Sequence, residues 1–114
     1  MARSLMLKFV DGSSKECEVT GRNMGGTTTY YKPLWALKKG EVDWASKSSP
    51  DHTVIVKELE NDKVVVDVKN NRGNLCGGPY ELYVGNESRY SYMFGEWSYF
   101  FRLTLEWGDD KEFR

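Results

Sequence analysis

Trp97-Ser98-Tyr99-Phe100-Phe101-Arg102-Leu103-Thr104-Leu105-Glu106-Trp107 is the stretch on which the fold turns. Trp97, Tyr99, Phe101, Leu103, Leu105 and Trp107 recur at every second position, and Ser98, Arg102, Thr104 and Glu106 fall between them. A helix would spread those six around its circumference, whereas a strand places them on one face. The segment therefore reads as a half-buried β-strand, with Phe100 the one apolar residue on its polar side. At ~3.3 Å per residue it spans roughly 33 Å. A compact chain of this size has a radius of gyration of only about 13 Å, so one tryptophan at least must lie at a rim, half exposed.

Working outward, Tyr90-Ser91-Tyr92-Met93-Phe94 reads as a neighbouring strand with Tyr90, Tyr92 and Phe94 on one side. Tyr80 to Val84 is another, ended by Gly85-Asn86. Thr53 to Leu59 and Lys63 to Val68 form a hairpin about Glu60-Asn61-Asp62, the clearest in the chain. Leu5, Leu7 and Phe9 alternate inward. Asp11-Gly12-Ser13-Ser14 then supplies turn chemistry, so a first hairpin is expected to return through Lys15 to Val19 with Cys17 and Val19 inward. Gly21 to Gly26 reads as a loop and Thr27 to Tyr31 as a short strand. Pro33 to Gly40 has two readings. Proline at the first position and glycine past the end suit a short helix near residues 33–39. A hairpin turning at Lys39-Gly40, with Trp35 facing Trp44 and Leu37 facing Val42, is slightly favoured. Ala45 to Asp51 is a polar loop, Asn70 to Pro79 a glycine-rich one, and the charged tail from Gly108 to Glu112 is expected to fray.

Composition agrees with this pattern. Among 114 residues there are 3 Ala and no Gln, against 10 Val and 16 aromatics. β-branched and aromatic residues thus outnumber strong helix formers. The expectation is a single all-β domain over 1–114, an antiparallel β-sandwich or barrel of about seven or eight short strands. No apolar run approaches the ~18–20 residues of a membrane span. The opening residues lack the apolar core and cleavage site of a signal peptide, so a cytoplasmic location is expected. The 16 basic residues are balanced by 17 acidic ones. Such a balance gives no attraction to a phosphate backbone, and nucleic acid is not expected as a partner.

Few residues suggest chemistry. His52 beside Asp51 could form an acid–base pair, or join Cys76 as a thiolate–imidazole pair. Adjacency in sequence does not supply the mutual geometry that catalysis needs, and a loop histidine without a partner is the simpler account. One His and two Cys at unrelated spacings make no zinc site, and Glu60 with Asp62 and Asp109-Asp110 lack a calcium-loop pattern. Cys17 reads as a small core residue and Cys76 as an exposed loop residue, both free thiols. The glycine loops lack the Gly-Lys-Ser/Thr of a phosphate cradle. Asn86-Glu87-Ser88 matches a glycosylation acceptor, relevant only to a secreted eukaryotic protein. No catalytic residue, metal or cofactor is expected.

The aromatics are the one excess. Many will fill the core, but Tyr and Trp are only intermediate in burial. Those left outside would form a patch of the residue types that anchor protein interfaces. Tyr90, Tyr92 and Trp97 in the second half, with Tyr30, Tyr31, Trp35 and Trp44 in the first, are the candidate binding residues. The expected function is a small non-enzymatic protein-binding module of the inhibitor, immunity or anti-defence kind, which occludes a protein partner. A carbohydrate-binding β-sandwich, stacking a glycan on exposed rings, is the alternative.

Overall fold

The structure, a computed structural model, describes residues 3–16, 23–44 and 50–113. In chain order the strands are β1 (Arg3–Glu16), β2 (Asn23–Pro33), β3 (Gly40–Glu41), β4 (His52–Leu59), β5 (Lys63–Asn70), β6 (Tyr80–Tyr83), β7 (Glu87–Phe94) and β8 (Trp97–Asp109). They form two antiparallel four-stranded sheets, ordered β2-β1-β8-β7 and β3-β4-β5-β6. The fold is all-β as expected, and of the two expected forms, sandwich or barrel, the two sheets make a small sandwich. Among the described residues no helix is long and apolar enough to cross a membrane.

The two sheets are joined by the alternation each sequence carries. Leu5, Leu7 and Phe9 of β1 and Phe101, Leu103 and Leu105 of β8 point inward from the first sheet. Val54 and Val56 of β4, Val64, Val66 and Val68 of β5, and Leu82 of β6 meet them from the second. Burying each such side chain contributes about 1.5–3 kcal/mol, so this double row is the main source of stability. The β4–β5 hairpin forms as expected, with a bulge between Val56 and Glu58.

The strands of the first sheet are longer than expected. β1 has 14 residues and β8 has 13, against 8 in β4 and β5. The first sheet therefore outruns the second by roughly 16 Å at ~3.3 Å per residue. The molecule is accordingly elongated, 49 × 29 × 26 Å, with a radius of gyration of 15.0 Å.

The length of β1 overturns the first expected hairpin. Asp11-Gly12-Ser13-Ser14 does not turn; it stays extended, paired with Ser98 to Phe101 of β8 on one side and Gly25 to Thr28 of β2 on the other. Pairing on both edges outweighs local turn preference. It also accounts for Phe100, which pairs with Gly12 and whose ring lies where a Cβ on Gly12 would be, 2.3 Å away. Phe100 thus covers a glycine on the outer face, half buried. Gly25 and Gly26, expected in a loop, lie in β2. Gly25 has a φ of +113°, and a side chain there would meet the Ser13 carbonyl at 2.3 Å. Cys17 and Val19 lie outside the described residues.

The Trp35–Trp44 hairpin is also overturned. Leu34–Ala36 forms a single 3-10 turn, entered from Pro33. Gly40 and Glu41 pair instead with Val56 and Ile55 of β4. The short-helix alternative is thus met only as this 3-10 turn. At the other terminus the tail is anchored: Asp110 is fully buried, and Lys111–Phe113 forms a second 3-10 turn.

Candidate functional site

The β7–β8 hairpin builds an aromatic array at one end of the first sheet. Its register sets Tyr90 opposite Phe101, Tyr92 opposite Tyr99 and Phe94 opposite Trp97, across a turn at Gly95-Glu96. Tyr92 and Tyr99 stack at 5.4 Å and 19°, Tyr90 and Phe101 at 5.8 Å and 27°, and Trp97 leans on Tyr99 at 6.4 Å. Such pairs contribute about 0.5–1.5 kcal/mol beyond area burial, so the array is stiff. From the loop after β5, Arg72 lays its guanidinium over the Phe94 ring, 3.7 Å from the centroid. Asn70, Asn71 and Arg72 close a cleft of about 140 Å³ against Tyr92, Phe94 and Tyr99.

Among the described residues β7 is also the open edge of its sheet, hydrogen-bonded only to β8. Edge strands are commonly blunted by charge. Here the charges stand at the start, where Arg89 bonds Glu87 at 2.6 Å. From Tyr90 to Phe94 the edge carries none. Met93 is 66 % exposed and Phe94 47 %.

Beneath the array lies a buried polar chain. His52, expected in a loop, is the first residue of β4 and fully buried. Its carboxylate partner is Asp11 rather than the adjacent Asp51: His52 Nδ1 bonds Asp11 Oδ1, while Asp11 Oδ2 accepts the backbone N–H of Asp51 at 2.7 Å. His52 Nε2 lies 3.1 Å from the Tyr92 hydroxyl. With Nδ1–H donated to the carboxylate and Nε2 accepting from Tyr92, all four groups are satisfied. The Tyr92 hydroxyl in turn adjoins the Cys76 thiol. Cys76 is therefore linked to His52 only through Tyr92, and it is buried rather than exposed as expected.

Around Cys76, burial favours the protonated forms of the thiol and of the Tyr92 and Tyr80 phenols. Burial pushes the Cys76 thiol up, partly offset by its bond to Tyr92. Burial, reinforced by Cys76, raises Tyr92 well above the ordinary phenol range. Tyr80, which donates to the Cys76 carbonyl at 2.5 Å, is pushed up to about 12 by burial first and neighbouring Tyr90 second. A raised thiol is the reverse of what an activated cysteine requires. The network holds Tyr92, and with it the stacked rings, in one orientation.

The opposite end of β8 is built differently. Ser4 Oγ donates to the buried Asp110 carboxylate. Trp35 Nε1 lies 3.0 Å from both Asp110 Oδ2 and Ser4 Oγ. Trp35 remains 51 % exposed and Trp107 58 %, meeting the expectation of a tryptophan at the rim. Between them opens a cleft of about 540 Å³, floored by Leu5, Leu34, Leu37 and Leu59 and bordered by Arg3, Glu60 and Asn61. A shallower hollow of about 290 Å³ lies beside Tyr31, Trp107 and Phe113.

The seven candidate residues therefore separate. Tyr90, Tyr92 and Trp97 come together on the β7–β8 hairpin. Tyr30 is not a surface ring: it is buried, 5.9 Å from Phe9 and 5.7 Å from Trp44. Trp44 packs on the same core, 5.5 Å from Phe9. Both fill space beside β1 because Phe9 faces inward there. Tyr31, the next residue along β2, faces outward beneath the Lys8 ammonium, and Trp35 stands at the far end. Sequence reasoning missed Arg72, Met93, Trp107 and Asp11 as site residues. Asp11 had a signal, since the Leu5, Leu7, Phe9 alternation continues to it. Among the described residues no group of three His, Cys, Asp or Glu is placed to hold a metal ion. Comparison with known protein families, with characterised proteins and with solved structures finds no match to this chain.

Proposed function

We propose that the protein is a non-catalytic binding module that engages a protein partner along the open edge of β7 and the aromatic end beside it, masking the partner surface it covers. The observation that carries this reading is the uncharged edge from Tyr90 to Phe94, unpaired among the described residues, which carries exposed Met93 and Phe94 with Arg72 beside them. An extended segment of a partner can pair with such an edge through its backbone, with neighbouring side chains supplying specificity. Aromatic and arginine side chains are the types most often found at interface hot spots. The buried His52–Asp11–Tyr92 chain supports the same reading, because a rigid platform loses less entropy on association. Its most reactive atoms face inward, which disfavours a catalytic role.

The test is retention of a partner on immobilised protein from extracts of the source cells, followed by affinity measurement with the purified partner. Met93→Lys with Phe94→Ser places a charge on the edge and removes the ring beneath Arg72. Hot-spot losses of about 2 kcal/mol or more correspond to roughly 30-fold weaker binding. Tyr90→Ala with Trp97→Ala should weaken capture in the same sense. A partner that binds all three proteins equally would refute the assignment of the site.

A further inference from the structure

From the cleft at the opposite end of β8, we infer a second binding site, for a neutral carbohydrate held against Trp35 and Trp107. Its volume, about 540 Å³, falls within the roughly 300–1,000 Å³ of small-ligand sites. One wall is built at a cost: Asp110 and Ser4 are buried, and both lie within 3.0 Å of the Trp35 indole nitrogen. A buried carboxylate spent on orienting a half-exposed indole fixes that ring as a platform. Trp107 is tied through its backbone, where Arg3 Nη2 donates to the Trp107 carbonyl at 3.3 Å.

The lining selects the chemistry. Exposed indole faces attract the slightly positive C–H faces of a pyranose ring, as they attract other positive edges. The border offers a donor in Arg3, an acceptor in Glu60 and both in the Asn61 amide. Sugar hydroxyls are donors and acceptors at once, so all three can be satisfied. A purely apolar ligand would leave them unpaired, which costs binding energy. An anion would be drawn to Arg3 but repelled by Glu60, and a cation the reverse. A neutral polyol with an apolar face fits both wall and border. This site is independent of the β7 edge, since none of its lining residues lies on β7.

The experiment is titration of the intact protein with five hexasaccharides, namely cellohexaose, xylohexaose, laminarihexaose, maltohexaose and chitohexaose. Binding is read from tryptophan fluorescence and from the indole N–H signals of Trp35 and Trp107. At least one hexasaccharide should shift both indole signals saturably. Trp107→Ala should weaken that binding tenfold or more, and Glu60→Gln several-fold, while Met93→Lys leaves it unchanged. Trp107→Ala should also melt within a few degrees of the parent, so loss of binding is separable from loss of fold. The proposal is overturned if no hexasaccharide moves the indole signals, or if the shift survives Trp107→Ala. It is equally overturned if a decaproline peptide, offered as an alternative aromatic-stacking ligand, occupies the cleft in preference to every sugar.

Discussion

Asp11, on β1 opposite Phe101, and Asp110, just past the end of β8, are both buried carboxylates, yet they are used differently. Asp11 bonds His52 and the Asp51 backbone, and the chain continues to Tyr92 and Cys76, all groups turned toward the interior. Asp110 bonds Ser4 and a tryptophan that is still half exposed. The first carboxylate stiffens a floor from below, and the second holds one exposed ring from behind. Burial of a charge is expensive in either place and needs full hydrogen bonding to be tolerated. The difference in partners therefore predicts a difference in what fails when each is removed.

The largest effect is expected at the His52 end. Asp11→Ala strands two donors, the buried imidazole Nδ1–H and the part-buried Asp51 N–H, and together these cost about 3 kcal/mol or more, at about 1–3 kcal/mol for each unpaired group. For a domain of this size that is a fall of roughly 12 °C or more in melting temperature. Chemical denaturation should give the same ranking, and an Asp11→Ala protein as stable as the parent would show that the network is incidental. Asp110→Ala should be milder, about 1–2 kcal/mol, because Trp35 can relax toward water. Its distinguishing sign is local: the Trp35 indole N–H resonance should move and sharpen while that of Trp97 stays put. A loss at Asp110 equal to that at Asp11 would erase the contrast.

Two glycines on the outer face sharpen the same comparison. A Cβ on Gly12 would stand 2.3 Å from the Phe100 ring, whereas one on Gly108 would stand 3.3 Å from Met6 Cγ. A ring must be displaced in one case, and a flexible thioether chain yields a few tenths of an ångström in the other. Gly12→Ala should therefore cost about 1–2 kcal/mol and Gly108→Ala about 0.5 kcal/mol or less. Adding Phe100→Ser should recover much of the Gly12→Ala loss, a coupling that a double-mutant cycle measures directly.

These same residues mark where sequence reading succeeds and stops. β8, β7, β6 and the β4–β5 hairpin are legible because each carries its own alternation of apolar and polar residues. Leu5, Leu7 and Phe9 are legible for the same reason. The second half of β1 is not, because Asp11, Gly12, Ser13 and Ser14 are turn formers whose extended state is imposed by two neighbouring strands. The Asp11–His52 bond joins residues 41 apart, and the adjacent Asp51 offered a nearer, misleading partner. Trp35 and Trp44 looked like a cross-strand pair, since spacing alone does not reveal that Pro33 leads into a 3-10 turn. A tryptophan at the rim is foreseeable from length alone, because a strand longer than its covering sheet must expose an end, but length does not choose between Trp97 and Trp107. The buried carboxylate that orients Trp35 is not foreseeable, because a charged tail ordinarily belongs to solvent.

The smallest predicted effect concerns alkaline pH and belongs to the His52 end. Cys76, Tyr80 and Tyr92 all have pKa values raised by burial, Tyr80 from 10.0 to about 12. A group whose folded pKa is raised holds its proton more tightly in the folded chain. Its contribution is complete below the unfolded pKa and is lost as pH climbs toward the folded one. Melting temperature should accordingly be flat through neutrality, begin to fall near pH 9.0 where an ordinary thiol ionises, and fall further between pH 10.0 and about 12. Tyr80→Phe removes one of the three titrating groups together with the bond to the Cys76 carbonyl. It should lower the melting temperature slightly at pH 7 and make the decline above pH 10.0 shallower, while Trp107→Phe at the other end leaves that decline as it was. If Tyr80→Phe loses stability in parallel with the parent at every pH, Tyr80 acts through its hydrogen bond alone and the alkaline sensitivity rests on Cys76 and Tyr92.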